Sequence, residues 1–244
     1  MAVRLSDMGP TELLDFVQRE TILEGQATEI LRNPYCTAEI AEMVAQTPGL
    51  LSSHRICALV CTVEGMPLSR VVDLMVILPW GPLMQLTQAP RTPPAVRRLA
   101  ERRLLHRLPK MTLGEKIALA RRAHRALFPH LIGAGDEEVF LALLDNPRLT
   151  EADLVSLLNT RPPTPGVVTA LLRNSRWSCR RGIMVALARC PGAPLPLVLS
   201  ALAQLPRRDL QELARDPRVS NQVREQVKRL VQRRGGVSAG RVVR

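Results

Sequence analysis

The feature that most constrains the fold of this chain is a turn that recurs along it. In each copy a Leu-rich stretch runs into Asn or Asp, usually followed by Pro, and a hydroxyl residue then opens another amphipathic stretch. Proline prevents continuation of a helix and pushes the residue before it out of the α region, whereas Ser or Thr caps the next helix. The copies begin at Leu31, Leu143, Leu171 and Leu213, with a weaker one at Leu86. Each copy predicts a helix, a sharp turn and a second helix.

The frequency of these turns indicates how the helices are arranged. Further proline turns lie between the copies, so each predicted helix has roughly 10 to 15 residues and needs neighbours to be stable. Stacked helical pairs that contact only their neighbours form an α-solenoid, and short irregular repeats are its sequence mark. We therefore predict an all-α fold, with a solenoid of short helical hairpins over 1–232. A subdivision near 81–110 and a compact helical bundle are the alternatives, and 233–244 is predicted to be a basic, disordered tail.

Composition supports the all-α prediction and excludes other classes. Only 2% of the residues are aromatic, whereas β-sandwiches and barrels pack many rings, and the apolar fraction of 46% excludes a disordered chain. Five Cys without regular spacing indicate reduced thiols. The N-terminus lacks the apolar core of a secretory signal, and the uncharged stretch 190–206 has only 17 residues with four prolines. We expect a cytoplasmic protein with no transmembrane segment.

The positive charge of the chain is unevenly distributed. There are 34 Lys and Arg against 22 Asp and Glu, so the net charge is +12. By segment, the net charge is −5 over 1–80, +9 over 81–135, −5 over 136–160 and +13 over 161–244. Side chains at equivalent positions of stacked repeats line one surface, so the two basic regions are candidates for a binding surface.

Two Arg-rich clusters within these regions are the candidate binding residues. In the helix predicted over 94–108, an apolar face leaves arginines on the other sides, and that face comprises Val96, Leu99, Ala100, Leu104, Leu105 and Leu108. The first cluster comprises Arg97, Arg98, Arg102, Lys110, Arg121, Arg122 and Arg125. The second comprises Arg173, Arg176, Arg180 and Arg181, with Trp177 among them.

Several partners fit such clusters. An acidic protein surface is the leading expectation, and nucleic acid is the alternative, because Arg binds phosphate oxygens with forked hydrogen bonds. The scarcity of aromatic rings argues against single-strand or RNA binding, which usually needs stacking platforms. Richness in Arg is also typical of chains encoded by GC-rich codons. Self-association between acidic N-terminal and basic C-terminal surfaces is a further option.

One segment carries a resemblance to known proteins. Residues 110–158 contain a K-x-x-L-A run at Lys116–Ala120, a predicted helix over 139–144, the pair Asn146-Pro147 and the pair Thr150-Glu151. In these positions the segment resembles bacterial helical-repeat proteins related to the HEAT and leucine-rich-repeat-variant solenoids. The resemblance covers about a fifth of the chain. It implies the solenoid fold and a scaffold or binding role, and it brings no catalytic residues.

Motifs for metal binding or catalysis are weak. His54, Cys57 and Cys61 share a helical face and are candidate zinc ligands, but no fourth ligand has a recognisable spacing, and buried packing residues are the better interpretation. Some HEAT-like solenoids are DNA glycosylases, and only Trp177 with Asp209 or Asp216 resembles such a site. The sequence therefore predicts a non-catalytic scaffold or adaptor without a cofactor.

Overall fold

The computed structural model describes residues 5–133, 136–160, 163–190 and 193–238, which form sixteen α-helices and four short 3₁₀ helices with no β-strand among them. The all-α prediction is confirmed. By internal contacts the chain divides into two compact units, 1–112 and 113–244. Each is described by itself.

Unit 1 contains seven α-helices, and most pack on the second helix after them in the sequence. The helices are α1 (Pro10–Arg19), α2 (Glu24–Arg32), α3 (Ala38–Gln46), α4 (His54–Val60), α5 (Leu68–Ile77), α6 (Trp80–Gln88) and α7 (Pro94–Arg107). The 3₁₀ helices are Leu5–Asp7, Leu50–Ser52 and Leu108–Lys110. Contacts join α1 to α3, α2 to α4, α4 to α6 and α5 to α7. The buried apolar side chains of these helices, among them Leu13, Ile30 and Ile56, form the core.

Unit 2 repeats this pattern with nine α-helices. They are α8 (Leu113–Arg122), α9 (Phe128–Gly133), α10 (Glu137–Leu144), α11 (Glu151–Thr160), α12 (Pro165–Arg173), α13 (Arg181–Arg189), α14 (Leu195–Leu202), α15 (Arg207–Arg215) and α16 (Asn221–Ser238). The 3₁₀ helix is Arg125–Leu127. The helices α8, α10, α12, α14 and α16 contact one another in succession, and α11 contacts α13.

The last helix extends into the segment predicted as the C-terminal tail. Helix α16 packs on α14 and α15 and continues to Ser238, so residues 233–238 belong to this helix. Once tertiary contacts have nucleated a helix, the addition of each further residue costs little free energy, because it also adds a hydrogen bond. This explains why α16 continues to Ser238. The rest of the predicted tail, 239–244, lies outside the described residues.

A buried Asn side chain holds the recurring turn. The Nδ2 of Asn146 donates hydrogen bonds to the carbonyls of Ala120 (2.7 Å) and Ala123 (3.0 Å), at the end of α8. Its Oδ1 accepts a hydrogen bond from the backbone N–H of Arg148 (2.8 Å). One side chain thus satisfies three backbone groups and connects the turn after α10 to the end of α8. This explains why Asn recurs before the proline.

The same arrangement occurs in unit 1. There the Nδ2 of Asn33 donates to the carbonyls of Leu5 (2.9 Å) and Met8 (3.0 Å), and its Oδ1 accepts from the N–H of Tyr35 (2.7 Å). The copies at Asn174 and Asp216 keep only the acceptor half, with the N–H of the second residue after each as donor. The two units therefore share one turn with the same chemistry.

The caps expected at the helix starts are only partly present. Thr37 accepts a hydrogen bond from the third residue after it, as does Ser220, and Thr150 forms a reciprocal capping pair with Asp153. Ser178 does not cap a helix, because α13 begins three residues later at Arg181. The turn is longer in this copy.

Candidate functional site

The second predicted cluster contains an arginine that stabilises the fold. Arg176 donates from Nη1 to the carbonyl of Asn146 (3.1 Å) and from Nη2 to the carbonyl of Leu149 (3.0 Å). Its guanidinium carbon also lies 4.4 Å from the centre of the Trp177 ring, which is a cation–π geometry. The charge of Arg176 is therefore directed at the preceding turn.

Trp177 is a core residue and not part of an exposed binding surface. Its side chain is 2% exposed, and its indole N–H donates to the carbonyl of Leu144 (2.9 Å). A ring held in this way is not available to stack on a base or anchor a partner. The arrangement required for a glycosylase, an accessible Trp177 near a carboxylate, does not form. The carboxylates of Asp209 and Asp216 instead pair with arginines.

Two further arginines of the predicted clusters pair with buried carboxylates. The Nε of Arg181 lies 2.6 Å from Oδ2 of Asp209, and its Nη2 lies 3.5 Å from Glu212. The hydrogen bond that Arg181 donates to Asp209 raises the pKa of Arg181. Arg125 pairs in the same way with Asp153. Both Asp side chains are 5% exposed, so their burial depends on the paired guanidinium.

A cavity of about 480 Å³ follows α11, α13 and α15, but its charges compensate one another. Its wall includes Arg181 with Asp209, and Glu151, whose Oε1 accepts the backbone N–H of Gly182 (2.8 Å). A Cβ on Gly182 would lie 2.5 Å from this oxygen, so a side chain there would displace Glu151 from this hydrogen bond. In this cavity the guanidinium of Arg181 is already paired with Asp209 and Glu212, so it is not a free positive charge for a ligand.

The remaining members of the clusters differ in what they contact. In unit 2, Arg121, Arg122, Arg173 and Arg180 are exposed, and the Nε of Arg180 donates weakly to the carbonyl of Arg176 (3.4 Å). In unit 1, Arg97 fixes the start of α7 by donating to the carbonyls of Thr92 (2.8 Å) and Pro90 (2.7 Å). Arg98, Arg102 and Lys110 are exposed, and within the described part of the chain they form no ion pair. The first cluster is also divided between the two units, with Lys110 in unit 1 and Arg121 in unit 2.

Helix α5 presents an exposed apolar ridge. Leu68, Val72 and Val76 are spaced four residues apart and therefore lie on one face; their exposed fractions are between 44% and 51%. With Ile77, they account for four of the eight large apolar residues that are most exposed among those described. The opposite side of α5 buries Leu74 in the core. Contiguous exposed apolar surface of this kind is typical of interaction sites.

Helix α7 places a basic ridge beside it. Helix α7 packs against α5. One face of α7 carries Leu99, Arg102, Arg103 and His106, because the two arginines lie three or four positions from both Leu99 and His106. Between the ridges lies a groove of about 290 Å³, lined by Val72, Met75, Leu99, Arg102, Arg103 and His106. No carboxylate lines this groove within the described structure. We name Leu68, Val72 and Val76 the apolar ridge and Arg102, Arg103 and His106 the basic ridge.

The predicted apolar face of α7 is only partly buried. Val96, Ala100 and Leu104 are in the core, whereas Leu99 and Leu105 are half-buried, because α7 packs only against its neighbours on one side. Sequence reasoning missed Arg103 and the whole of the apolar ridge. The available signal was the composition of α5, LSRVVDLMVI, which is apolar on nearly every side although the helix lies at a surface.

The candidate metal ligands do not converge. His54 is exposed, whereas Cys57 and Cys61 are fully buried, and the thiol of Cys57 lies 3.3 Å from the carbonyl of Leu51. Burial raises the pKa of Cys57, and that of Cys61 to about 12, which disfavours the thiolate that binds metal. Among the residues described, no three His, Cys, Asp or Glu side chains are grouped as metal ligands.

Comparisons of the chain with protein-family models, with curated proteins and with solved structures find no match. The resemblance of residues 110–158 to HEAT-like proteins thus stays a prediction. In the described portion of the chain, every helix is too short or too polar to cross a bilayer.

Proposed function

We propose that this chain is a non-catalytic α-solenoid of the HEAT-like type, which works in the cytoplasm as a scaffold or adaptor for an acidic protein partner. Nine of the α-helices in the described part of the chain contact the second helix after them, and these contacts support the solenoid, as does the Asn turn repeated in both units. Each repeat of such a fold contacts mainly its neighbours and leaves an extended surface for binding.

The observation that carries this proposal is the groove of unit 1. It joins exposed apolar area to uncompensated positive charge, and this combination is typical of protein interfaces in which Arg surrounds an apolar centre. A partner that buries the apolar ridge also brings its surface within reach of the basic ridge. Acidic side chains at that place are favourable, whereas basic ones are repelled.

Nucleic acid is the competing partner. Phosphate recognition requires arginines free to contact a backbone, but Arg125, Arg176 and Arg181 are directed at groups of their own chain. Trp177 is unavailable for stacking. Apolar area in the groove also contributes nothing to a contact with phosphates, so the combined surface fits a protein better.

A direct test presents the whole chain with both kinds of partner. A displayed library of random peptides is selected on the immobilised protein, and labelled single-stranded and duplex oligonucleotides are titrated over a salt range from about 50 to 200 mM. We expect the selected peptides to be richer in Asp and Glu than the starting library. Binding should fall on Arg102→Glu and persist on Arg173→Glu, which reverses an exposed charge of unit 2.

Three results would overturn the proposal. One is the absence of any peptide enrichment that depends on Arg102. The second is tight oligonucleotide binding whose affinity decreases steeply with salt, because that dependence measures counterions released from phosphates. Concentration-dependent self-association in sedimentation, lost on Arg102→Glu, would identify a second copy as the partner and would also contradict an adaptor role.

A further inference from the structure

We propose that the groove of unit 1 binds an amphipathic helix with an apolar stripe along one edge and Asp or Glu along the next. This inference rests on the proposed function and specifies the form of the partner. It is carried by the asymmetry of the groove, since α5 lines it only with apolar side chains and every basic lining residue belongs to α7.

The dimensions of the groove determine the length of the bound helix. From Leu68 to Val76 the apolar ridge spans nine residues, and the rise of the helix between the two ends is about 12 Å. From Leu99 to His106 the facing side of α7 covers a similar length. A helix of two to three turns, about 10 to 12 residues, is sufficient to contact both ridges along their length.

The form of the groove favours a helix over an extended strand. A strand gains affinity by adding to the edge of a sheet, and the described residues contain no strand. The walls here are two α-helices packed side by side, whose ridges leave a channel into which the side chains of a third helix fit. A helix also satisfies its own backbone, so an apolar channel can bury it without unpaired amides.

The charge of the groove determines which residues flank the apolar stripe. Arg102 and Arg103 make no ion pair within the described structure, and the Nε of Arg103 is buried without a hydrogen-bond acceptor. A guanidinium in an apolar wall gains most from a carboxylate, because a charge-assisted forked contact replaces lost hydration. Carboxylates should therefore lie on the edge of the bound helix that faces α7.

The test uses the full chain and a designed peptide of about 12 residues with Leu at positions 2, 6 and 9 and Glu at positions 3, 7 and 10. We expect micromolar binding by titration calorimetry, and a gain of peptide helicity by circular dichroism. Val72→Asp and Arg102→Glu should each weaken binding at least about tenfold. The matched controls Leu141→Asp and Arg173→Glu, at exposed sites of unit 2, should leave it unchanged.

A charge exchange makes the test independent of folding defects. A peptide in which Lys replaces the three Glu should not bind the natural chain. The same peptide should bind the double variant that carries Arg102→Glu and Arg103→Glu. If peptides in which proline prevents a helix, but whose composition is otherwise the same, bind equally well, then the proposed helical form of the partner is wrong. The proposal of an acidic partner is retained in that case. If neither helical nor broken acidic peptides bind, the inference and the proposed function both fail.

Discussion

The two units share a turn, but Arg176 and Arg181 of unit 2 have a different role from Arg102 of unit 1. Asn33 and Asn146 make the same three backbone contacts, so the helices of both units are joined in the same way. In unit 2, however, Arg176 and Arg181 are committed to carbonyls and carboxylates of the chain itself. In unit 1, Arg102 is exposed beside an apolar groove.

This difference shows that net charge and available charge are distinct quantities. Residues 161–244 have the higher net charge, +13, yet Arg176 there binds the carbonyls of a turn, and Arg181 and Arg189 pair with Asp side chains. The segment from 81 to 135 has a net charge of +9, and it supplies the basic ridge. An N–H of a guanidinium that is already bonded within the chain must give up that hydrogen bond to form one with a partner. The exchange reduces the free energy gained on binding.

The largest expected effect tests what the units share. Asn146→Ala should lower the free energy of unfolding by about 2 to 4 kcal/mol, because two carbonyls and one N–H lose a buried partner. Asn33→Ala should have an effect of the same order. Urea unfolding measures the size, and hydrogen exchange followed by mass spectrometry locates the loss.

Each variant should increase exchange mainly in its own unit, since the bonded carbonyls belong to that unit. Asn174→Ala is the matched control, because its side chain accepts only one backbone N–H. If Asn174→Ala destabilises the protein as much as Asn146→Ala, the pair of donated hydrogen bonds is not what holds the turn.

An intermediate effect tests what separates the units. Arg176→Ala should lower the free energy of unfolding by about 1 to 2 kcal/mol, since it removes two hydrogen bonds to carbonyls and the contact with Trp177. Arg102→Ala should change it by less than about 0.5 kcal/mol, as at other exposed sites. Urea unfolding of both variants gives the comparison. Equal effects would mean that the two arginines do not differ in role.

The sequence predicted the elements better than the surfaces. Proline, Asn and the hydroxyl caps act locally, so the helices around Asn33 and Asn146 follow from the residues next to them. The partner of an arginine is a long-range property. Nothing near Arg181 in the sequence indicates that Asp209, 28 residues later, lies against it.

The binding surface needed the same long-range information. Trp177 was grouped with its neighbours because they are adjacent in sequence, but its side chain points into the core between helices. Arg102 and Val72 are 30 residues apart in the sequence, so the groove that they line depends on the packing of α5 beside α7. Periodicity identified the faces of each helix, and packing determined which faces stayed exposed.

The smallest expected effect concerns acid stability in unit 2. The N–H of Arg218 and the guanidinium of Arg189 both donate to Asp216, and they lower the pKa of this carboxyl below its usual 3.8. The unfolded chain therefore binds a proton more readily than the native one. The contribution to stability is complete above pH 3.8, and it is lost as the pH falls through the native pKa.

Asp216→Asn removes this dependence while its side-chain oxygen can still accept the N–H of Arg218. We expect a loss below about 1 kcal/mol at neutral pH, because Arg189 is partly exposed and the pair is screened. The difference from the natural chain should shrink as the pH falls below 3.8. In unit 1, Asp15→Asn removes a more exposed pair with Arg19 and serves as the control. Urea unfolding at a series of pH values measures both, and a difference for Asp216→Asn that stays constant into acid would show that the ion pair contributes nothing.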